Sequence, residues 1–201
     1  MKEIELIIQF PPGGSTDTYA RIVGNTASKH LGVPLIYINK AGAGGAVAAD
    51  FVKNAKPDGY TVGTGGVSNL GTVIATNPRI PYTLKDFSII CRCVITPIIV
   101  VTKKGRFDSF ESFVKEAKAK PNVLMYGSYG TKSSSHFAGE LIKEALGIKV
   151  KHIAFEGGAK ALAAALGGHV DVAILTVATS LSNIKAGTLS GLTLTTPYRV
   201  D

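Results

Sequence analysis

Apolar and polar positions alternate along this chain in two periods that take turns. Glu5 to Phe10 is a short apolar run of strand length, closed by Pro11-Pro12-Gly13-Gly14. Tyr19, Ile22, Val23, Ala27 and Leu31 then recur at helical spacing, with Ser15 or Thr16 placed to cap the helix and Asp17 suited to its first turn. Pro34 to Ile38 reads as a strand, and Gly42 to about Ala55 as a Gly-opened helix. Pro57-Asp58-Gly59 reads as a turn, Tyr60 to Gly63 as a strand, and a short helix behind the Gly65-to-Asn69 loop stops by Pro78. Phe87 to Thr102 holds two apolar stretches broken at Pro97. The second half repeats the style. Helices are predicted around Phe110–Ala117, His136–Leu146, Ala159–Leu166 and Ser180–Lys185, and strands at Val123–Tyr126, Val150–Phe155, Val170–Leu175 and Gly191–Thr195. Strands separated by helices predict βαβ units, parallel pairing and an α/β fold. The break at Pro97 divides the chain into a first lobe, 1–95, and a second, 96–193, with 194–201 expected to return to the first.

Composition narrows the function more by exclusion than by assertion. Of 201 residues 45% are apolar and 18% charged, enough apolar material for a packed core. The net charge of +8 could suggest nucleic acid. The cations are scattered, however, and Lys103-Lys104 and Lys149-Val150-Lys151 carry no interleaved aromatics, so the expectation is a diffuse field that attracts small anions and no nucleic-acid partner. Cys91 and Cys93 are spaced poorly for a disulfide, lack the further ligands of a zinc site, and read as two buried thiols. Nothing reaches the roughly 18 apolar residues of a membrane helix. Met1-Lys2-Glu3 leads straight into strand-like sequence, as expected of a mature chain whose export signal has been removed.

Three Gly/Ser/Thr loops follow predicted strands and precede helices: Pro11 to Asp17, Gly65 to Asn69, and Gly127 to Ser135. Loops at the carboxyl ends of strands form the ligand crevice of open parallel sheets, and helix N-termini offer free N–H groups to an anion. Catalytic signatures fail one by one. Gly42-Ala43-Gly44 lacks the third glycine of a dinucleotide fingerprint, where Val47 stands, and Lys132-Ser133 lacks both glycines of a phosphate loop, where Tyr126 and Thr131 stand. Ser133 to Ser135 beside His136 lack a nucleophile elbow. His30, His152 and His169 have no partner at sequence spacing. No metal ligand set and no cofactor motif is expected. Many neutral donors and few reactive groups suit binding better than catalysis.

Pro11-Pro12-Gly13-Gly14-Ser15-Thr16-Asp17-Thr18 with Ala20-Arg21 resembles the opening motif of the Bug/TctC-type substrate-binding proteins of tripartite tricarboxylate transporters. Asn39 to Gly45, Pro57 to Thr61, Gly127 to His136, Phe155 to Gly158, Gly167 to Asp171 and Lys185 to Leu189 follow in family order, so the likeness covers nearly the whole chain. It implies a periplasmic binding protein of the type II, Venus-flytrap class: two lobes whose cleft closes on a small carboxylate, with transporter permease subunits as partners. Carried over by motif, the first-lobe contacts are Gly13, Gly14, Ser15, Thr16 and Asp17, with Ser68 and Asn69; the second-lobe contacts are Thr131, Ser133, Ser134 and His136, with Thr176 flanking. Two departures stand out. The chain stops at Asp201, where family members continue with helices that complete the first lobe, so uncovered sheet surface and a homo-oligomer are expected. Leu175-Thr176 stands where an acidic residue is common in the family. The alternatives are an acyl- or phosphoryl-transfer enzyme built on the glycine loops, and a binding subunit that feeds a sensor kinase.

Overall fold

The structure is a computed structural model and describes residues 2–196. The chain divides into two compact units, Met1–Ile95 and Thr96–Asp201. The expected return of 194–201 lies mostly outside the described residues. Of its described part, Leu194 pairs with Ile99, and the Thr195 N–H donates to the Ile98 carbonyl, both within the second unit.

The first unit carries a three-stranded sheet in the order β2-β1-β3, with β1 Ile4–Ile8, β2 Leu35–Asn39 and β3 Thr61–Gly63. Both pairings are parallel, as the alternating periods require. Helix α1 (Ser15–Leu31) joins β1 to β2. It packs through small residues, Ala20 and Gly24, while Ile22 and Leu31 of its apolar stripe stay exposed. Gly24 is needed for that approach, since a Cβ there would lie 2.7 Å from the Tyr37 hydroxyl. Residues 42–55 are not one helix. A 3-10 turn, Ala43–Gly45, leads into α2 (Ala46–Lys53), because Gly44 and Gly45 both sit at positive φ. After β3 a π-helical turn, Ser68–Thr72, runs into α3 (Val73–Thr76).

The second unit carries a five-stranded sheet in the order β6-β5-β7-β4-β8. Its strands are β4 Ile98–Lys103, β5 Met125–Ser128, β6 Lys151–Ala154, β7 Val172–Thr176 and β8 Leu189–Leu194. Its helices are α4 Phe110–Ala119, α5 Ser134–Leu146, α6 Gly158–Gly167 and α7 Val177–Lys185. Strands β5, β6 and β7 pair in parallel, but β4 is antiparallel to both β7 and β8. An all-parallel sheet is therefore only partly realised: no single strand–helix–strand crossover links β4 to either neighbour, so nothing sets its direction by that route. The core gathers Val100, Phe107, Phe113, Leu124, Tyr126, Val150, Val172 and Ile174. One edge of it is tied by charge. Arg106 forks onto Glu116 and also meets Asp171, whose other oxygen accepts the Met125 N–H at 2.8 Å. The Glu116 carboxyl is held down to about 2 by that guanidinium.

One expectation fails in the segment ahead of β4. Residues 88–97 form neither helix nor strand, so only the second apolar stretch of 87–102 is a strand. Cys91 and Cys93 lie in that segment and are exposed, not buried. Apolar character there predicted burial, but no sheet partner takes up these residues among those described.

Candidate functional site

Each unit places its Gly/Ser/Thr loops where the sheet topology requires, past the carboxyl ends of strands. In the first unit β1 is central, so the β1–α1 loop lies at the middle of the sheet edge and the Gly65-to-Asn69 loop beside it, after β3. Gly13 has φ of 80°, a turn only glycine makes without strain. Its N–H donates to Asp17 at 3.1 Å. Asp17 is 5% exposed and also accepts from Arg21 Nε at 3.0 Å and Asn39 Nδ2 at 3.0 Å. The Arg21 guanidinium holds its carboxyl below the usual range. Asp17 thus latches the loop to helix and sheet, and its oxygens are spent inside the protein.

The latch leaves the helix start open. Contrary to expectation, neither Ser15 nor Thr16 caps α1: both lie within its first turn, and the N-cap is Gly14, which supplies no capping side chain. Ser15 has no hydrogen-bond partner for its hydroxyl among the described residues, while Thr16 bonds Tyr19. The first N–H groups of α1 are therefore left without a side-chain acceptor, at the positive end of a helix of 17 residues. The neighbouring Ser68 and Asn69 are buried, 3% and 1% exposed. Asn69 Oδ1 accepts the Gly66 N–H at 3.0 Å, and its carbonyl accepts the Tyr82 hydroxyl at 2.8 Å, so this side chain shapes its own loop. Gln9, the first residue past β1, lies against Gly45 and Gly66, and its Oε1 is buried without a partner.

The β5–α5 loop of the second unit is built differently. Ser133 is fully buried, donates to the Gly130 carbonyl at 2.6 Å, and caps α5 by accepting the His136 N–H at 3.3 Å. Ser135 accepts the Tyr129 N–H, and Ser134 shares a 2.6 Å bond with the Tyr129 hydroxyl. Lys132 is left-handed at φ of 62°, and its N–H donates to His136 Nδ1 at 3.1 Å. Thr131 is exposed, with no hydrogen bond among the described residues. Thr176 ends the adjacent β7 and caps α7 through the Thr179 N–H. The sequence-expected residues thus gather as Gly13–Asp17 with Ser68 and Asn69 in one unit, and Thr131–Ser134, His136 and Thr176 in the other.

Behind the second loop stands a cluster that sequence spacing missed. His152, read as partnerless, bonds Ser128 Oγ at 2.7 Å and stacks on His136 at 4.1 Å and on Tyr126 at 4.8 Å. Its partner is reached across the β5–β6 ladder, where Tyr126 pairs with His152, so no linear motif could reveal it. Tyr126 donates to Glu140 at 2.6 Å, and Lys143 closes on Glu140 at 2.8 Å. Burial pushes His152 down to about 4, with His136 adding to the effect, and burial lowers His136 as well. The Ser128–His152 contact is not a nucleophile with its base. Ser128 is fully buried and exchanges hydrogen bonds with Gly130, so no substrate carbonyl reaches its oxygen. Among the described residues, no group of three or more His, Cys, Asp or Glu side chains could hold a metal ion, and no helix is long and apolar enough to cross a membrane.

Residues 19–200 match the model of the tripartite tricarboxylate transporter family receptor. The chain is 32% identical over 196 residues to Protein BugT of Bordetella pertussis, covering 96% of this chain and 60% of that protein. It thus spans about 60% of the length of the curated relatives it matches. Among solved structures, it superposes on R. palustris Rpa4515 with adipate at TM-score 0.93 and 27% identity, covering 98% of this chain and 67% of that one. It superposes on MatC (Rpa3494) from Rhodopseudomonas palustris with bound malate at TM-score 0.90 and 26% identity, covering 98% and 68%.

Proposed function

The chain belongs to the tripartite tricarboxylate transporter receptor family, and from that premise we propose that it captures a small organic acid for delivery to the permease subunits of such a transporter, on the periplasmic side. The observation that carries this reading is the open N-terminus of α1. A carboxylate there meets the N–H groups at the start of α1 and the free hydroxyl of Ser15, with Gly13 and Gly14 permitting close approach. Charge-assisted bonds of this kind are worth roughly 1.5–3 kcal/mol each, so no salt bridge is required. Thr131 is the ligand contact proposed in the second unit, and Asp17, Ser68, Asn69, Ser133, Ser134, His136 and Thr176 are proposed to hold the loops in place.

Two structural relatives contain adipate and malate, both dicarboxylates, which supports a ligand with two carboxylates over a simple monoacid. The exposed apolar run Ile89, Ile90, Val94 and Ile95 supports self-association, which light scattering checks directly. The identity of the acid is tested by native mass spectrometry of protein purified without added ligand, followed by release and analysis of the small molecule. A di- or tricarboxylate is expected. A neutral or cationic metabolite bound at stoichiometry contradicts the proposal.

A further inference from the structure

Cys91 and Cys93 are the chain's two cysteines, and carboxylate capture makes no use of them. Both are exposed, in the irregular segment 88–97, and their sulfurs lie 3.4 Å apart. The segment passes near α1, where Tyr19 is within electrostatic reach of Cys93. Sulfurs at this separation are in contact but unbonded. A disulfide would have to bring them to about 2 Å with a torsion near 90°, which a ring containing one intervening residue strains. Zinc asks for four ligands in a tetrahedron, and among the described residues no third and fourth ligand gathers with this pair. A linear two-coordinate ion holds its sulfurs on opposite sides, far beyond contact. Trivalent arsenic differs on each count. It is soft, it is pyramidal, and it bonds two sulfurs on the same side of itself at close to their contact distance.

We propose that Cys91 and Cys93 form a dithiol site for trivalent arsenicals of the type R–As(OH)2. Each thiol exchanges with one hydroxide: an As–S bond forms, an As–O bond breaks, and the thiol proton departs with the hydroxide as water. The product is R–As(S-Cys91)(S-Cys93) plus two waters. Neither arsenic nor sulfur changes oxidation state, so no oxidant or reductant takes part. The contact with Cys91 and desolvation hold the Cys93 thiol above its ordinary range, so the pair enters the exchange as thiols and both protons leave in the water formed. Exposure of both sulfurs gives the arsenical free access, and sequence proximity makes the second bond intramolecular.

Phenylarsine oxide is the probe. Reduced protein titrated with one equivalent should gain one phenylarsenic unit in its intact mass and lose both thiols to a thiol-specific chromogen. A vicinal dithiol such as 2,3-dimercaptopropanol should reverse the adduct at a concentration where a monothiol does not. Cys91→Ser and Cys93→Ser should each weaken binding by about a hundredfold or more, because the chelate's intramolecular second bond is lost, with circular dichroism unchanged. Single variants that bind as tightly as the native chain overturn the proposal. So does loss of both thiols without the added mass, which would mean that the pair closes to a disulfide instead.

Discussion

The loop after β1 and the loop after β5 stand at equivalent places in their sheets, yet they spend their hydrogen bonds in opposite ways. The first is tied from behind by Asp17, Arg21 and Asn39, and leaves the start of α1 without a capping side chain. The second is tied from within: Ser133 caps α5, Ser135 and Ser134 engage Tyr129, and His136 holds the Lys132 N–H. A latch behind a loop leaves donors for a ligand, whereas a latch inside it consumes them. The second loop should therefore matter more to stability, and the first more to affinity.

Gly139→Ala should have the largest effect. A Cβ on this residue of α5 would lie 2.4 Å from the ring of Tyr126, which is 2% exposed and wedged between His152 and Glu140. A loss of about 2–3 kcal/mol is expected in denaturant unfolding; a neutral result would mean that the platform under the second loop is soft.

The comparison itself is tested by paired hydroxyl deletions. Ser133→Ala removes a cap and should cost about 1 kcal/mol of stability. Ser15→Ala should leave the melting temperature alone and weaken acid binding by up to about tenfold. Equal stability losses in the two variants would erase the distinction drawn above.

Acid should act on the second loop first. His136 and His152 have folded pKa values below the ordinary 6.5, His152 at about 4, so the unfolded chain binds more protons than the folded one. Their contribution to stability is complete above pH 6.5 and is lost as pH falls toward 4. The facing groups are Tyr126 and Ser128 from β5 and Glu140 and Lys143 from α5. A melting-temperature profile should decline through that window, and His152→Gln should flatten the decline. A profile unchanged by the substitution would show that the histidines are not its source.

Gln9→Met should have the smallest effect, and in the favourable direction. It removes a buried oxygen that has no partner, and should raise stability by up to about 1 kcal/mol. A loss of stability would mean that a bound water satisfies that oxygen.

Much of this was legible in the sequence, because the features are local. Pro11 to Asp17 carries its own turn and helix start within seven residues, so the position of the first loop follows from adjacent side chains, but its openness does not: Ser15 and Thr16, expected to cap the helix, lie inside α1, and Gly14 is the N-cap. The second loop was located but misjudged in character, since its capping serine and left-handed Lys132 become evident only once Gly130, Ser133 and His136 are folded onto one another. His152 was unreadable because its partners come from a neighbouring strand and from α5. Residues 88–97 were misread for a related reason: apolar composition signals burial only when another element arrives to cover it.

The central claim is that an anion binds the open end of α1. Gly14 has φ of −84°, within reach of proline's range, and the nearest atom to an added Cβ is the Pro11 carbonyl oxygen at an ordinary 3.7 Å. Gly14→Pro therefore deletes one N–H at a position where an added Cβ meets only an ordinary contact, and its melting temperature is compared with the native chain's before binding is read. Calorimetric titration of the native chain and this variant with matched mono-, di- and tricarboxylates and their amides is the direct measurement. The account predicts that the native chain prefers an acid over its amide, and that Gly14→Pro weakens the best acid by about tenfold or more. Equal affinity for acid and amide, or an acid affinity untouched by Gly14→Pro, would contradict it.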